Sequence, residues 1–264
     1  MEDKRSIMTK YKIIVAYDGT DYFGWQVQTD KVTIAGTLQD SFKSVFGKDI
    51  SIAGASRTDA GVHALGQTAT FSVDLPITAQ QLLFAWHNVL PESIVIPEIQ
   101  EVPLDWNPRH NVRQKTYKYH FFAERPLPFI ARYGWHYRHP VDLEKLKACF
   151  AIFIGTQDFR SFCTGDEYEN TVRTIDDIFL EYNQAWQAYA IVVKGPGFLR
   201  YMIRRIVGAC LEAASHDTVT INDLQKALEQ KNPLQLLPTA PAQGLLLYQI
   251  DYFKEETHHE KKNY

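Results

Sequence analysis

Cysteine is scarce in this chain: the 264 residues hold only Cys149, Cys163 and Cys210, far apart and without a Cys-x-x-Cys pair. Neither a disulfide framework nor a thiolate zinc site is expected. No apolar run approaches the roughly 20 residues of a spanning helix, and the charged start Met1-Glu2-Asp3-Lys4-Arg5 leads into no signal-peptide-like segment. That predicts a cytoplasmic chain with no membrane partner. Nine histidines include no His-Glu-x-x-His and no i, i+4 pair beside an acid, which predicts no catalytic metal. Positive excess is missing too, because 28 Lys and Arg stand against 31 Asp and Glu for a net charge of −3. The sum by itself disfavours a nucleic-acid partner. Gly195-Pro196-Gly197 lies between a strand and a helix pattern, yet Arg200 fills the third glycine position of a dinucleotide fingerprint and Pro196 removes an amide.

What is present is a chain 45% hydrophobic, enough to bury a substantial core as one large domain or two linked ones. Tyr11 to Asp18 reads as a strand ending in the turn Asp18-Gly19-Thr20. Ile34, Leu38, Phe42, Val45 and Phe46 recur at helical spacing, with Gly47 as C-cap. Ile50 to Gly54 and Gln67 to Val73 alternate as half-buried strands. Thr78 and Gln81 predict a capping box for a helix through Trp86, and Ile94 to Val102 closes the half as a strand. The order is β-α-β-β-α-β.

The second part repeats that order. Thr116 to Phe122 is a strand, Asp142 caps a helix carrying Leu143, Leu146, Phe150 and Phe153, and Thr174 to Tyr182 and Trp186 to Val193 are strands. An apolar helix from about Phe198 to Ala214 follows, then a short helix after Thr220 and a strand from Leu245 to Tyr252. Cys149 and Cys210 fall in helix patterns as core residues. The fold class is α/β in the α+β sense: two β-α-β-β-α-β, ferredoxin-like units joined into one mainly antiparallel sheet, with helices on one face and a cleft on the other. The division predicted is 9–104 and 105–253, with residues 1–8 and 254–264 as disordered tails.

Charge distribution says more than charge sum. Between Trp106 and Arg138 the basic residues Arg109, Arg113, Lys115, Lys118, Arg125, Arg132 and Arg138 meet a single acid, Glu124, with aromatics interleaved. Cations for phosphates beside rings for exposed bases are what RNA contact needs, whereas a plain solvated face accounts for the charges alone. Between the two strands of the first half lies Ala55-Ser56-Arg57-Thr58-Asp59-Ala60-Gly61-Val62-His63-Ala64. Its Asp-Ala-Gly interior serves as an ordinary turn or as a place where backbone passes close to a ligand.

This ten-residue string resembles the signature Gly-Arg-Thr-Asp-Ala-Gly-Val-His of the tRNA pseudouridine synthase A (TruA) family, with Ser56 at the usual glycine. Lys115-Thr116-Tyr117-Lys118-Tyr119 resembles the family's Tyr-x-Tyr strand, and Phe198 to Gly208 its Phe-x-x-x-Met-Val-Arg-x-Ile-Val-Gly helix, aligned on Arg204. Ala240-Pro241-Ala242-Gln243-Gly244-Leu245 resembles its Ala-Pro-Ala-x-Gly-Leu. Tyr17-Asp18-Gly19-Thr20, Gly24-Trp25-Gln26, Gly155 to Phe162 and Arg173-Thr174-Ile175 agree as well. Trp106-Asn107-Pro108-Arg109 departs from a Phe-x-x-Arg segment.

The resemblance implies the pseudouridine synthase fold and isomerisation of uridine to pseudouridine in the tRNA anticodon stem-loop, at tRNA positions 38, 39 and 40. It implies a homodimer and no cofactor, since no group leaves and no outside electrons are needed. It makes Asp59 the catalytic carboxylate and Arg204 its partner. Tyr117 stacks on the uracil, Leu245 packs against its other side, and Arg57 assists extrusion of the base. Read from the residues alone, Tyr117 and Leu245 are equally core side chains and Arg204 a surface arginine. A pseudouridine synthase with another RNA target and a non-catalytic RNA-binding module are the alternatives.

Overall fold

The computed structural model describes residues 8–164 and 169–253. The first half runs β1 (Thr9–Tyr17), α1 (Ile34–Phe46), β2 (Ala53–Gly54), β3 (His63–Val73), α2 (Ala79–His87) and β4 (Ile94–Val102). The second runs β5 (Val112–Phe122), β6 (Trp135–His136), α3 (Leu143–Ala151), β7 (Gly155–Asp158), β8 (Val172–Ile175) and β9 (Asp177–Asn183). It finishes with β10 (Ala188–Gly195), α4 (Met202–Ser215), α5 (Ile221–Gln230) and β11 (Leu245–Tyr252). The segments 1–7 and 254–264 of the expected tails lie outside the described residues.

Helix ends form where their chemistry predicts. Thr33 accepts the Gly36 amide to open α1, and Gly47 closes it at φ +63°. Thr78 with Gln81, and Thr220 with Asp223, form capping boxes, while Asp142 accepts from Glu144 and Lys145 at the start of α3. Three expected spans differ. Thr174 to Tyr182 is not one strand but breaks at Asp176 into the end of β8, which pairs with β7, and β9, which pairs with β10. Of Ile50 to Gly54 only Ala53–Gly54 pairs with β3, because Ile50 and Ile52 are drawn into the core instead of continuing a ladder. The α4 helix starts at Met202, not Phe198, because Tyr201 sits in the left-handed region at φ +62° and interrupts the helical path. Phe198 therefore belongs to the turn preceding the stripe of Met202, Ile206 and Ala209.

Nine strands form one sheet with the path β4-β1-β3-β11-β5-β10-β9, β2 adding to β3 and β6 to β5; β7 and β8 pair separately. All main-path contacts are antiparallel except β3 with β11. The last strand of the chain thus lies between the two halves. One face carries Tyr11, Ile13 and Val15 of β1, Phe71 of β3, Leu247 of β11, Tyr119 of β5 and Ile191 of β10, all buried in a common core with the helices. Trp86 of α2 meets Phe42 of α1 and Phe71 edge-on, at 4.9 Å and 5.4 Å between ring centroids, a favourable quadrupole arrangement. Cys149 of α3 and Cys210 of α4 are buried free thiols on two helices that pack together.

The cleft is placed differently from expectation. Strand alternation puts Tyr117 and Leu245, which line it, on the same face as Tyr119 and Leu247, so it opens on the helix-bearing face. The physical reason is that α1 and α2 cover the first half and α3 to α5 the second, leaving a gap above the β11–β5 junction.

Asp18, at the end of β1, ties the halves together. Its carboxylate accepts from the Thr20 amide (3.0 Å) and hydroxyl, the Tyr133 hydroxyl (3.0 Å) and Arg132 Nη1 (3.3 Å), and lies 3.2 Å from His63 Nδ1. Burial pushes this carboxyl up, but the hydrogen bonds from Thr20 and Tyr133 outweigh it and hold it below the usual carboxylate range. A depressed folded-state pKa contributes stability at neutral pH that is lost as pH falls through that value. Asp18→Asn is therefore expected to cost about 1–3 kcal/mol at neutral pH and to lose less on acidification than the native chain. Urea denaturation at two pH values measures both effects.

Candidate active site

The loop 55–62 is held from beneath by the turn that follows β1. The Trp25 amide donates to Thr58 O (3.1 Å), the Gly61 amide to Tyr22 O (3.2 Å), and the Tyr17 and Thr58 hydroxyls meet at 2.8 Å in a buried position. Contact this close needs glycine. A Cβ on Gly19 would lie 2.0 Å from Val62 O, and one on Gly24, whose φ is +93°, would lie 2.5 Å from Thr58 O and 3.1 Å from the Asp59 carbonyl carbon. His63 Nδ1 accepts the Gly19 amide at 3.1 Å and so fixes the same approach. Burial lowers the His63 pKa, which keeps the ring an acceptor there.

Asp59 projects from this loop into a cleft of about 610 Å³. Arg204, on the first turn of α4, reaches it from the other half: Nη1 stands 3.5 Å from Asp59 Oδ2, while Nε donates to Ala240 O at 2.8 Å. The guanidinium also lies 4.8 Å from the Tyr201 ring centroid. The Asp59 side chain is 21% exposed, and burial raises its pKa further than Arg204 and the nearby Arg200 lower it. The two arginines thus moderate a desolvated carboxylate without fully offsetting its burial. An anion deprived of water in this way is a stronger nucleophile and base than one in solution.

Tyr117 is 5% exposed, its ring edge-on to Phe198 at 5.4 Å and its hydroxyl 2.8 Å from Ser56 Oγ. Burial, with Asp59 nearby, pushes its pKa up to about 12, so it stays neutral. Leu245 is 7% exposed and lines the cleft at the head of β11. Arg57 is exposed on the cleft wall and has no ion-pair or hydrogen-bond partner among the described residues. Asp59, Arg57, Tyr117, Arg204 and Leu245 therefore line one cavity although they come from both halves.

The basic run from Arg109 to Arg138 is less free than the sequence implies. Lys118 pairs with Glu181 at 2.7 Å, Arg132 with Asp18 at 3.3 Å and Arg113 with Asp251 at 3.8 Å, acids that folding brings from elsewhere. Arg109 and Lys115 remain on the cleft wall. Arg205, beside Arg204 in sequence, instead donates to Ser161 O, Cys163 O and Pro233 O and ties loops together.

Against known families, residues 13–111 and 150–253 match the family model described as tRNA pseudouridine synthase. Proteins named tRNA pseudouridine synthase A from Thermodesulfovibrio yellowstonii (35% identical over 255 residues) and Thermoanaerobacter sp. (36% over 247) each match 93% of this chain and 100% of their own length. Similarity extends to tRNA pseudouridine synthase A 1 of Desulfotalea psychrophila, 38% identical over 91% of this chain and 98% of that protein. The chain belongs to the tRNA pseudouridine synthase A family. It is therefore an isomerase acting on tRNA.

Several cleft residues of this family member were not singled out by the sequence reading. Ser56 holds the Tyr117 hydroxyl, Phe198 braces the ring, and Arg200 contributes charge toward Asp59. Gly195-Pro196-Gly197 signals a turn ahead of α4, but no local pattern announces the left-handed Tyr201 between Arg200 and Arg204. Gly24→Ala is expected to cost at least about 2 kcal/mol, from a positive φ that alanine disfavours and contact with the Thr58 carbonyl. Because the displaced atoms adjoin Asp59, turnover should fall even at temperatures where the variant remains folded; thermal melts and kcat measured on the same preparation test this.

Proposed function

We propose that this chain isomerises uridine to pseudouridine in the anticodon stem-loop of tRNAs, at tRNA positions 38, 39 and 40, with Asp59 as the reacting carboxylate. The observation that carries the reading is the half-buried Asp59 beside Arg204, in one cleft with Tyr117 and Leu245. Isomerisation breaks the bond from ribose C1′ to uracil N1 and joins C1′ to C5 of the same ring. The proton lost from C5 is balanced by one gained at N1, so no cofactor is consumed. An ionised Asp59 acts on the ribosyl-uracil unit, Tyr117 and Leu245 hold the uracil, and Arg204 keeps the carboxylate aimed. A base inside a stem-loop must leave its stack, at a cost of a few kcal/mol, and the unpaired Arg57 at the wall is suited to fill the space left behind.

In this reading residues 9–104 supply the catalytic loop and 105–253 complete the cleft. A cytoplasmic homodimer, in which one bent tRNA touches cations of both subunits, reconciles RNA binding with the net charge of −3. No helix among the described residues is long and apolar enough to cross a membrane.

Carbodiimide primer-extension mapping of unmodified tRNA transcripts tests the proposal. Native protein, without added cofactor, is expected to mark anticodon-arm uridines. Asp59→Asn should mark none while binding the transcript within a few-fold of native affinity. Modification confined to other sites would refute the target; binding without modification by either protein would leave an RNA-binding module.

The ionisation of Asp59 is open to a separate test. Since the carboxylate is the working form and burial raises its pKa, single-turnover rates should fall as pH drops through a midpoint above the ordinary carboxylate range. Arg204→Gln removes a charge that lowers that pKa and should move the midpoint higher. A midpoint unchanged in the variant argues against the pair.

A further inference from the structure

Among the described residues five cations line the cleft, Arg57, Arg109, Lys115, Arg200 and Arg204, and Asp59 is the one carboxylate. Arg204 and Arg200 act on that carboxylate. Arg109 and Lys115 do something else. Arg109 Nε donates to Gly54 O at 3.0 Å, which fixes the guanidinium plane and leaves both terminal nitrogens available. Lys115 Nζ donates to Ala55 O at 2.9 Å and to Ser56 Oγ at 3.4 Å, using two of its three N–H bonds. Among the described residues neither cation has a carboxylate partner.

Two positive charges held side by side by main-chain carbonyls, one of them largely buried, form an arrangement that is unfavourable while empty. Burial and the charge of Arg109 lower Lys115 to about 8. What relieves such a pair is an anion with several acceptor oxygens, able to take a fork of N–H groups from arginine and a point charge from lysine. Both cations hang from Gly54 and Ala55, five and four residues before Asp59, so the anion they hold lies close to the reacting nucleotide.

We propose that Arg109 and Lys115 form a seat for one backbone phosphodiester of the bound RNA, next to the nucleotide whose base enters the cleft. The inference rests on the RNA substrate proposed for this same cleft. It assigns register: a phosphate held here fixes how far along the strand the extruded base lies from Asp59. Anchoring both cations in advance to the main chain of the catalytic loop means little side-chain order is lost on binding.

The experiment measures the Kd for an unmodified tRNA transcript across a salt series, by filter binding, for native protein, Lys115→Gln and Lys115→Arg, with kcat and KM taken alongside. Glutamine retains a donor for Ala55 O and loses the charge. The expected result is a several-fold weaker Kd for Lys115→Gln with the slope of log Kd against log salt reduced by about one, restored in Lys115→Arg, and KM affected more than kcat. An unchanged slope with a fall in kcat overturns the proposal, since Lys115 would then serve only as a strut for the loop. If native protein binds the transcript but forms no pseudouridine, the functional reading fails, yet the salt slopes still decide whether the seat exists.

Discussion

Two residue pairs of parallel ladder, Leu246 with His63 and Leu247 with Ala64, join the halves of this protein. The loop bearing Asp59 leads into β3 at His63, and Leu245 begins β11. The same short contact that closes the sheet therefore brings the catalytic loop beside the head of the last strand. On the other side of β11, antiparallel pairing with β5 sets Leu247 opposite Tyr117 and Leu245 opposite Tyr119. Loss of the junction would separate Asp59 from Tyr117, Leu245 and Arg204 together.

Around that junction electrostatics and packing pull in opposite directions. Asp59 is desolvated and its pKa is raised, an unfavourable state for a carboxylate at neutral pH, and the 3.5 Å approach of Arg204 only partly offsets it. Tyr201 holds a left-handed backbone at the entrance to α4, with the Arg200 and Arg204 guanidinium groups 5.3 Å and 4.8 Å from its ring centroid. These costs are carried by a core in which Trp25, Trp86, Tyr119 and Phe71 are fully buried. Strain and desolvation gather at the cleft because the surrounding sheet and helices leave the chain no cheaper path there.

Charge is organised in the same way. Where the sequence shows an unopposed basic run, folding supplies Glu181, Asp18 and Asp251 as partners and removes three of its members from the pool available to RNA. Those left on the cleft wall, Arg109 and Lys115, point to main-chain oxygens instead of acids. A modestly acidic chain thus keeps at least these two cations without an acid partner among the described residues at the cleft wall. Paired cations elsewhere contribute little long-range field.

Local chemistry by itself determined much of this protein. The capping residues Thr33, Thr78, Asp142 and Thr220, the closing glycine Gly47, and the strand run from Leu245 to Tyr252 all act within a few residues of themselves, so the helices and the main-sheet strands were legible in order, while the short β6, β7 and β8 were not. Asp59 was legible because a specific string surrounds it. Only tertiary structure decided where the cleft opens, which arginine meets Asp59 and which ties loops, that Ser56 holds Tyr117, and that α4 begins late at Met202. Each of these depends on atoms brought together from distant positions, as Arg204 and Asp59 are across 145 residues of chain, and no local periodicity encodes such a meeting.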